Sequence, residues 1–585
     1  MARPWKLTKQ PPALVKKLLL IIAVIGGSYS LWSQEETAPD YGELTGNFQF
    51  DGYFYQEDSA IGAFGSNYPD EKFLGQGFMN LNYTRGNFRM GVRYENYQNV
   101  IQGFPTEYQG EGITYRYAQF VKDGLDITAG NFYEQFGSGM ILRGYEERGL
   151  GFDNMFDGVR VKYEPIKGLA LKGVLGRQRK FFEKSNGLVR GLDGEFNLNE
   201  LMGFGGNTQY ILGGSFVSKY EAANSPIYNL PENVGAGAGR FQINSGKFSF
   251  SGEYMYKVND PSFDNGYIFR KGEGLIFNGT YSTRGFGLIV QAKRIDNLSF
   301  RSERDASFFA VPINFLPPTT KFHTYALPAL FPYATQPRGE MGFQVELTKN
   351  FKRGSFLGGK YGTTVVFNYS VASSIYKEYY DATDTLNLVK EGYKTDWFKA
   401  GDILYFQDFN FLVKKKLNRN LKMNFGYYNI TYNYDVLNKG ISDEDIVAKG
   451  NKPNMIYSHT FVLENQIKLT SRKYLRTELQ WQLTDEDVSQ EVINDDFNMG
   501  DRVMLLIEYS VAPNWFFAIQ DIYNYGHPDV AKRLNYPLAS VVYQVGTTRF
   551  QATYGRQQAG IFCVGGVCRL VPATNGASLT ITTNF

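Results

Sequence analysis

Residues 475–483 read LRTELQWQL, and the alternation within this short stretch decides the fold. One set of alternate positions carries Leu475, Thr477, Leu479, Trp481 and Leu483, and the other carries Arg476, Glu478, Gln480 and Gln482. Successive side chains of a β-strand point to opposite faces of the sheet. The stretch is therefore predicted to be a strand with one apolar face and one polar face.

The same two-residue period recurs along the chain, for example in FSFSGEYMYK (248–257) and EMGFQVEL (340–347). The chain has 42 tyrosines, 47 phenylalanines and 63 glycines, and its mean hydropathy is negative. No later segment approaches the run of about 18 apolar residues that indicates a membrane-spanning helix. This combination predicts many short amphipathic strands. One window departs from the pattern, because NWFFAIQDI (514–522) puts Asp521 on the same face as Trp515 and Ile519.

Short turns and long connections alternate between these segments. The short turns, most of which carry the residues that turns favour, are RGN (85–87), KDG (122–124), PIKG (165–168), GFGGNT (203–208), NSGK (244–247), TRG (283–285), FKRG (351–354), LNRN (417–420), TSRK (470–473), VAPN (511–514) and GTT (546–548). Longer polar connections include 297–336, 373–403, 433–456, 485–500, 525–537 and 557–576. Short turns at one end and long loops at the other are typical of an outer-membrane β-barrel and not of a soluble sandwich.

The turns predict an all-β, transmembrane, antiparallel up-and-down barrel of about 24 strands, within a range of roughly 22–26. With a first strand near 43–56 and a last near 577–585, an even strand number puts both termini on the periplasmic side. The last strand, SLTITTNF (578–585), alternates and ends on an aromatic residue. Phe585 is therefore the candidate for the signal that the outer-membrane assembly machinery reads; a chance edge strand ending in Phe is the alternative.

The N-terminus has the order of a secretory signal. Five basic residues precede the apolar run at 18–25, small residues follow, and the first acidic residue is Glu35. This run is too short for a membrane-spanning helix. The sequence predicts a signal peptide at 1–33, a short periplasmic segment at 34–42 and the barrel at 43–585, with an uncleaved anchor as the alternative.

Charge and motif content argue against two classes of function. The chain has 61 basic and 58 acidic side chains, and without its first 33 residues the net charge is −2. Nucleic acid, which attracts basic patches, is therefore not an expected partner. None of the three histidines (His323, His459 and His527) has a serine, cysteine or second histidine at recognisable motif spacing. We expect no enzyme activity and no cofactor.

The polar strand faces are expected to line the lumen, and they carry charges of both signs. The candidates are Arg160, Lys162, Glu164, Glu253, Lys257, Glu340, Glu346, Glu464, Lys468, Arg476, Glu478 and Glu508. A wall of mixed sign predicts no strong preference for anions or cations. The alternative interpretation is structural, since charge pairs also keep a wide barrel wall hydrated.

The segment NFYEQFGSGMILRGYEERGLGFDNMFDG (131–158) has six glycines among apolar and charged residues, and glycine permits sharp bends. Its charged middle consists of Arg143, Glu146, Glu147 and Arg148. Such a loop could fold into the lumen and constrict it. It could equally be an extracellular loop braced by its own ion pairs.

The segment LPPTTKFHTYALPALFPYATQ (316–336) is too rich in proline for a central strand and too apolar for a solvated loop. Its apolar side chains are Leu316, Phe322, Tyr325, Leu327, Leu330, Phe331 and Tyr333. They are expected to pack in the lumen, on neighbouring loops or against a partner. The segment is thus a candidate plug or partner-binding loop.

Three loops carry clustered carboxylates, at Asp381/Asp384, at 443–445, and at 485–487 with Asp495/Asp496. Carboxylates can hold calcium, but the ordered ligand spacing of an EF-hand is missing. Solvated surface charge is the preferred interpretation, and no metal site is predicted.

The chain has two cysteines, in CVGGVC (563–568). Gly565 and Gly566 suit a two-residue hairpin turn, which would make Cys563 and Cys568 a cross-strand pair at a non-hydrogen-bonded position. There the Cα atoms are close enough for a disulfide, and export leads to an oxidising compartment. A metal site would need two more ligands, and the spacing is not the redox CxxC. A disulfide that stiffens one extracellular hairpin is predicted.

CVGGVCRLVPATNG, followed by the closing strand, and NFYEQFGSGMILRGYEERGLGFDN resemble two segments of a family of outer-membrane β-barrel proteins of Bacteroidota. The likeness runs along the whole mature chain, although only these two segments are specific. It implies a barrel in the outer membrane of a Gram-negative cell. That family has no assigned activity, so the likeness transfers no functional residue.

Two classes of function remain. The first is an outer-membrane channel or solute transporter of unknown substrate. The second is a non-enzymatic structural or assembly component that binds a lipoprotein or secretion partner through its extracellular loops. A TonB-dependent receptor is disfavoured, because strands begin near residue 43 and leave no room for a plug domain before the barrel.

Overall fold

The computed structural model describes residues 41–65, 68–203, 205–306, 310–381, 383–449, 452–490, 492, 499–564 and 567–585. The chain divides into two compact units, Met1–Gly42 and Glu43–Phe585. The predicted signal peptide and the segment at 34–40 belong to the first unit and lie outside the described residues. All strands given below belong to the second unit.

The second unit is a closed antiparallel barrel of 24 strands, so the predicted fold class and strand number are confirmed. Each strand pairs with its neighbours in the chain, and the first strand pairs with the last, from Asn47 opposite Asn584 to Tyr55 opposite Gly576. The strands are β1 (Glu43–Tyr55), β2 (Phe73–Arg85), β3 (Phe88–Gln98), β4 (Gly110–Lys122), β5 (Leu125–Phe132), β6 (Phe156–Ile166), β7 (Leu169–Lys180), β8 (Glu183–Asn197), β9 (Thr208–Tyr220), β10 (Asn233–Ser245), β11 (Phe248–Lys257), β12 (Gly272–Thr283), β13 (Phe286–Asp296), β14 (Gly339–Phe351), β15 (Thr363–Ile375), β16 (Ala400–Lys416), β17 (Leu421–Asn433), β18 (Met455–Lys468), β19 (Lys473–Asp487), β20 (Arg502–Val511), β21 (Trp515–Asn524), β22 (Leu538–Val545), β23 (Thr548–Gln557) and β24 (Thr574–Asn584).

The connections carry short helices and hairpins. The α-helices are Leu198–Met202, Thr385–Lys390, Tyr434–Leu437 and Asp443–Lys449, and the 3₁₀ turns are Ser59–Ile61, Thr106–Tyr108, Arg148–Leu150, Phe263–Asn265, Pro328–Leu330 and Val530–Lys532. The paired segments are Gln135–Phe136 with Leu142–Arg143, Glu146–Glu147 with Phe152–Asp153, Glu378–Tyr379 with Tyr393–Lys394, and Gly560–Val564 with Val567–Val571. No helix in the described ranges is long and apolar enough to cross a membrane.

The two ends of the barrel differ. β1 begins and β24 ends at the same end, which we call the turn end, and all eleven predicted short turns lie there. Two of these turns need a correction. β14 and β15 are joined by eleven residues (352–362), and β8 and β9 are joined by ten (198–207) that include the helix Leu198–Met202, so neither connection is a tight turn. The opposite end, the loop end, carries the long connections. One connection there is short, since β7 and β8 are joined by Phe181 and Phe182 alone.

The strands turn their apolar faces outward and their polar faces into the lumen. On β19, Leu479 and Trp481 are 45% and 47% exposed, whereas Gln480 and Gln482 between and beside them are fully buried. The same inversion runs around the wall and is the arrangement of a barrel that meets lipid outside. Asp521 faces outward on β21 beside exposed Ile519, as the sequence indicated. We have no physical account of a carboxylate at that position.

Candidate functional site

Two loops from the loop end fold into the lumen. They are the Gly-rich loop (residues 133–155) and the Pro-rich loop (residues 297–338). A buried apolar cluster joins them to inward positions of the wall, and it includes Phe136, Met140, Ile141 and Leu142 of the first loop, Leu298, Phe300 and Ile313 of the second, and Val174, Val189, Val217, Met255, Ile276 and Ile295 of the strands. The core of the molecule therefore lies inside the barrel.

Glycines let the Gly-rich loop bend into the wall. Gly137 and Gly139 have φ values of 53° and 95°, which L-residues adopt rarely. Between them, the Ser138 amide donates a hydrogen bond of 2.7 Å to Glu253 on β11. The ring of Phe136 lies against Gly191 of β8, where an added Cβ would come within 2.8 Å of the ring. The loop is thus anchored both by a charged acceptor and by close packing.

A buried charge network fixes the second half of the Gly-rich loop. Arg93 of β3 contacts Glu95, Glu146 and Asp153 at 2.8, 2.8 and 2.6 Å. Arg179 of β7 contacts Glu95 at 2.6 Å and Asp153 at 2.9 Å. Each buried charge has partners of opposite sign, which offsets the cost of removing it from water.

The four charged residues predicted at the middle of this loop make different kinds of contact. Glu146 and Arg148 pair with each other at 3.1 Å, and Glu146 also joins the network through Arg93. The Arg143 guanidinium lies between the rings of Tyr145 and Phe315, at 4.4 and 4.0 Å from their centroids. Glu147 is half-buried at the start of the 3₁₀ turn Arg148–Leu150.

The two loops also bond to each other. The Arg143 amide donates to the carbonyl of Ile313 at 2.8 Å, and the Phe315 amide donates to the carbonyl of Gly139 at 3.0 Å. With the Phe315 ring against Arg143, these contacts make the two loops one connected plug across part of the lumen.

The segment 316–336 lies against the inward faces of the wall. The exposed fractions of Tyr325, Leu327, Phe331 and Tyr333 are between 0% and 8%, and Leu330 is half-buried. Phe322 differs, with 64% of its surface exposed. The buried side chains pack on strand residues such as Met504 and Leu506 on β20, Tyr405 and Phe406 on β16, and Val462 on β18.

Polar groups of the wall hold the backbone of this segment. The Leu327 amide donates to Gln480 at 2.9 Å, and its carbonyl accepts from Gln482 at 3.1 Å. Lys293 of β13 donates to the carbonyl of Pro317 at 2.8 Å and pairs with Glu340 of β14 at 2.8 Å. The side-chain amides of Gln480 and Gln482 thus supply hydrogen-bond partners for backbone groups of the loop that are buried away from water.

Side chains of the segment make further contacts with wall carboxylates. Lys321 pairs with Glu346 at 2.7 Å, and His323 approaches Asp408 at 3.2 Å. Tyr325 donates to Glu464 at 2.8 Å, and Tyr333 donates to Glu340. Burial raises the pKa of Tyr325, and the carboxylate it bonds raises that pKa further, so the phenol stays a neutral donor.

Most of the other predicted lumen residues sit in ion pairs, whereas Glu164 and Lys468 are exposed and form none with any described residue. Arg160 contacts Asp126 at 3.1 Å, and Lys162 contacts Glu134 at 2.9 Å. Arg476 is held by Glu464 at 3.1 Å, by Glu508 at 2.7 Å and by Glu478. The alternation of the sequence located these inward positions. It could not locate their partners, which depend on register and on loops that fold back.

The sequence analysis missed several residues that hold the plug. Arg93, Glu95, Arg179 and Lys293 lie at inward strand positions, so their period could have found them. Gln480 and Gln482 were placed on the inward face, but their role as partners of the loop backbone has no sequence signal.

A cavity of about 840 Å³ opens in the lumen at the turn end. We call it the vestibule, and it is lined by residues near the turn-end termini of β16 to β23, among them Lys422, Lys468, Arg476, Glu508, Ser540 and Arg549. The plug loops enter the barrel from its other end. The lumen is therefore filled towards the loop end and hollow at the turn end.

The remaining candidate residues lie away from the plug. Gly560–Val564 and Val567–Val571 form the predicted hairpin with Cys563 opposite Cys568. The two turn glycines and both cysteine side chains lie outside the described residues, so the disulfide stays a prediction. The Phe585 amide and carbonyl each bond Gly46, at 3.0 and 2.8 Å, which ties the last residue to β1.

The acidic loops make local contacts. Asp443 pairs with Lys377 at 3.0 Å, and the amide and hydroxyl of Thr383 donate to Asp381, which lowers the pKa of that carboxyl. Within the part of the chain that the structure describes, no group of three or more His, Cys, Asp or Glu could hold a metal ion. Asp495 and Asp496 lie outside it.

Comparisons with known proteins bear mainly on family. The sequence model of a family of unknown function, DUF6029, matches residues 14–585. No curated protein matches the chain.

Three solved structures illustrate the likeness at the level of architecture. The translocation pore of the P pilus usher PapC is 10% identical, with 92% of this chain and 99% of that chain covered and a TM-score of 0.42. The siderophore receptor PirA from Pseudomonas aeruginosa is 10% identical, with 93% of this chain and 81% of that chain covered and a TM-score of 0.39. OccD3 (OpdP) from the same organism is 10% identical, with 80% of this chain and 90% of that chain covered and a TM-score of 0.34. Function has to be inferred from the chain's own geometry.

Proposed function

The chain belongs to DUF6029, a family of unknown function, and we propose that it is an outer-membrane channel or solute transporter whose lumen is closed by its own Gly-rich and Pro-rich loops. The observation that carries this proposal is the polar seat of the Pro-rich loop on Gln480 and Gln482. The turn end, with both termini, would face the periplasm, and the loop end would face outward.

The surface of the barrel supports a membrane location. Its wall exposes apolar side chains and hides polar ones, which is the reverse of a soluble protein. A secretory signal at 1–33 would export the chain, and Phe585 would serve as the assembly signal. Outer-membrane lipid and the assembly machinery are then its expected contacts.

The polar wall behind the plug favours a channel that can open over a barrel that is permanently filled. Asn368, Ser370, Asp408 and Asn410 are fully buried, inward and polar. Water can replace the loop at such a surface, because it offers the same hydrogen bonds. A wall that never met water would need no such residues, and a barrel of this strand number is too wide for its own side chains to fill.

The placement of the histidines supports a non-enzymatic function. His459 faces outward and bonds the hydroxyl of Tyr427 at 2.8 Å, and His527 bonds the backbone of Asp529. His323 contacts Asp408 on the plug seat. Each has a structural partner.

Solute uptake into proteoliposomes tests the proposal. Replacing residues 316–336 by a glycine-serine linker of equal length removes the part of the plug that packs on β16, β18 and β20, while keeping the chain continuous. We expect the wild-type protein to admit sugars slowly and the linker variant to admit them rapidly. A matched control replaces 222–229 on another loop of the same end and should behave as wild type. A folded linker variant that admits no sugar would refute the passage.

A second candidate function rests on exposed apolar side chains at the loop end. Ile227, Phe263, Leu386 and Phe398 are 80%, 66%, 68% and 91% exposed, on three connections of that end. Exposed apolar side chains mark a contact surface where they adjoin one another. A lipoprotein or secretion partner would be the occupant. Loss of a co-purifying partner in Leu386→Ser/Phe398→Ser, with uptake unchanged, would favour this function.

A further inference from the structure

The vestibule carries an unbalanced charge. Its basic lining residues are Lys416, Arg419, Lys422, Lys468, Arg476 and Arg549. Of the described residues that line it, Glu508 is the one carboxylate. The mature chain as a whole is close to neutral, so this imbalance is a property of the site and not of the composition.

The basic surface continues onto the rim of the turn end. A neighbouring cavity of about 550 Å³ shares Lys416, Lys422 and Gln466 with the vestibule. It adds Lys352, Arg353, Lys414 and Lys415, and its lining residues include no carboxylate. The two cavities form one basic surface from the rim into the lumen.

Most of these side chains lack an acidic partner. Arg476 has three, as described above. Lys422, Lys468 and Arg549 are exposed and form no ion pair with any described residue. Elsewhere in the lumen, by contrast, Lys162 and Lys293 are paired. Crowded like charges repel one another, so this surface has a standing affinity for anions.

The position of the charges excludes the bilayer as their partner. Lys422, Lys468 and Arg549 share the inward faces of their strands with Asn424, Gln466 and Gln551, while the outward neighbours Ile467 and Phe550 are apolar. The occupant therefore comes through the lumen and not from the lipid. A cavity of this size has room for a small molecule with several charged groups.

We propose that the vestibule is a binding site for soluble multivalent anions with carboxylate or phosphate groups, and that it sets the solute class of the proposed channel. The second part rests on the proposed function; the binding itself does not. A walled cavity focuses the field of its charges and raises the local concentration of counter-ions. The even mixture of charges in the sequence had predicted no preference, and the clustering arises from the register of β16 to β23.

Calorimetric titration of the full-length protein in detergent with inorganic tripolyphosphate or citrate tests the binding. The variant Lys422→Gln/Lys468→Gln/Arg549→Gln removes three unpaired charges. Its matched control, Lys122→Gln/Lys247→Gln/Arg284→Gln, removes three basic side chains from other turns of the same end. We expect affinity to fall about ten-fold or more in the first variant and to stay unchanged in the control, and added salt to weaken wild-type binding. No binding by the wild type, or equal loss in both variants, would overturn the site.

The reversal potential under a salt gradient tests the link to transport. In the variant with the linker at 316–336, we expect anion preference, and we expect the three substitutions at 422, 468 and 549 to abolish it. A conducting pore without anion preference would overturn the selectivity while leaving the passage. A pore that never conducts would refute the passage and the selectivity, whereas the calorimetric binding would stand or fall independently.

Discussion

At the scale of single residues, the pair of Lys293 and Glu340 shows what the inward faces do. Both side chains are fully buried, and Lys293 also bonds the Pro-rich loop through the carbonyl of Pro317. Removing one member of such a pair leaves the other charge buried without a counter-charge. The same buried ion pair therefore stabilises the wall and holds the Pro-rich loop.

Lys293→Met is expected to lower the free energy of unfolding by about 3 kcal/mol, because Glu340 loses its counter-charge. Urea titration followed by tryptophan fluorescence measures the change. Lys162→Met is the control, and its cost should stay below about 1 kcal/mol, since Glu134 keeps Lys172 and Arg160 nearby. Equal losses of unfolding free energy in the two variants would contradict the view that Glu340 depends on Lys293 as its counter-charge.

The hairpin register makes the cysteine pair testable. Cys563 lies opposite Cys568, and cross-strand neighbours can form a disulfide. Intact-mass spectrometry should show a gain of two hydrogens on reduction. Because the closed loop is short, reduction should barely change stability. Free thiols in freshly purified protein would show that the bond does not form.

At the scale of elements, the Pro-rich loop rests on replaceable contacts. Each hydrogen bond between Leu327 and the two glutamines contributes about 1 kcal/mol net. Losing both should shift the balance between a seated and a released loop without unfolding the barrel.

Gln480→Ala/Gln482→Ala is expected to raise the fraction of time that the pore is open by about ten-fold or more, from two lost bonds of about 1 kcal/mol each. Bilayer recordings measure it directly. Gln544→Ala/Gln551→Ala changes two vestibule glutamines away from the loop and should leave the open fraction alone. A seated loop that opens no more often in the first variant would mean that apolar packing alone holds it.

The sequence predicted elements better than their contacts. The period of two located inward and outward residues such as Arg476 and Trp481, because strand geometry is local. The prolines and apolar residues of 316–336 marked an unusual loop, but its seat on β19 depends on how the barrel closes. Phe322, grouped with the buried side chains by composition, is exposed, because composition alone does not tell which side chains of a loop face the wall.

At the scale of the whole molecule, closure created what the sequence could not show. The number of strands followed from counting turns, and the assignment of turns to one end followed from parity. The basic surface at that end did not, because its residues come from five strands and two connections. A near-neutral chain can thus hold a strongly charged vestibule.

Single-channel recording of the purified protein tests the central claim, that the two loops close a passage, most directly. The wild-type protein should be closed for most of the recording, with brief openings, and the linker variant at 316–336 should show a steady conductance. The control replacement at 222–229 should resemble the wild type. A wild-type protein that conducts steadily with its loops seated, or a folded linker variant that never conducts, would contradict the account.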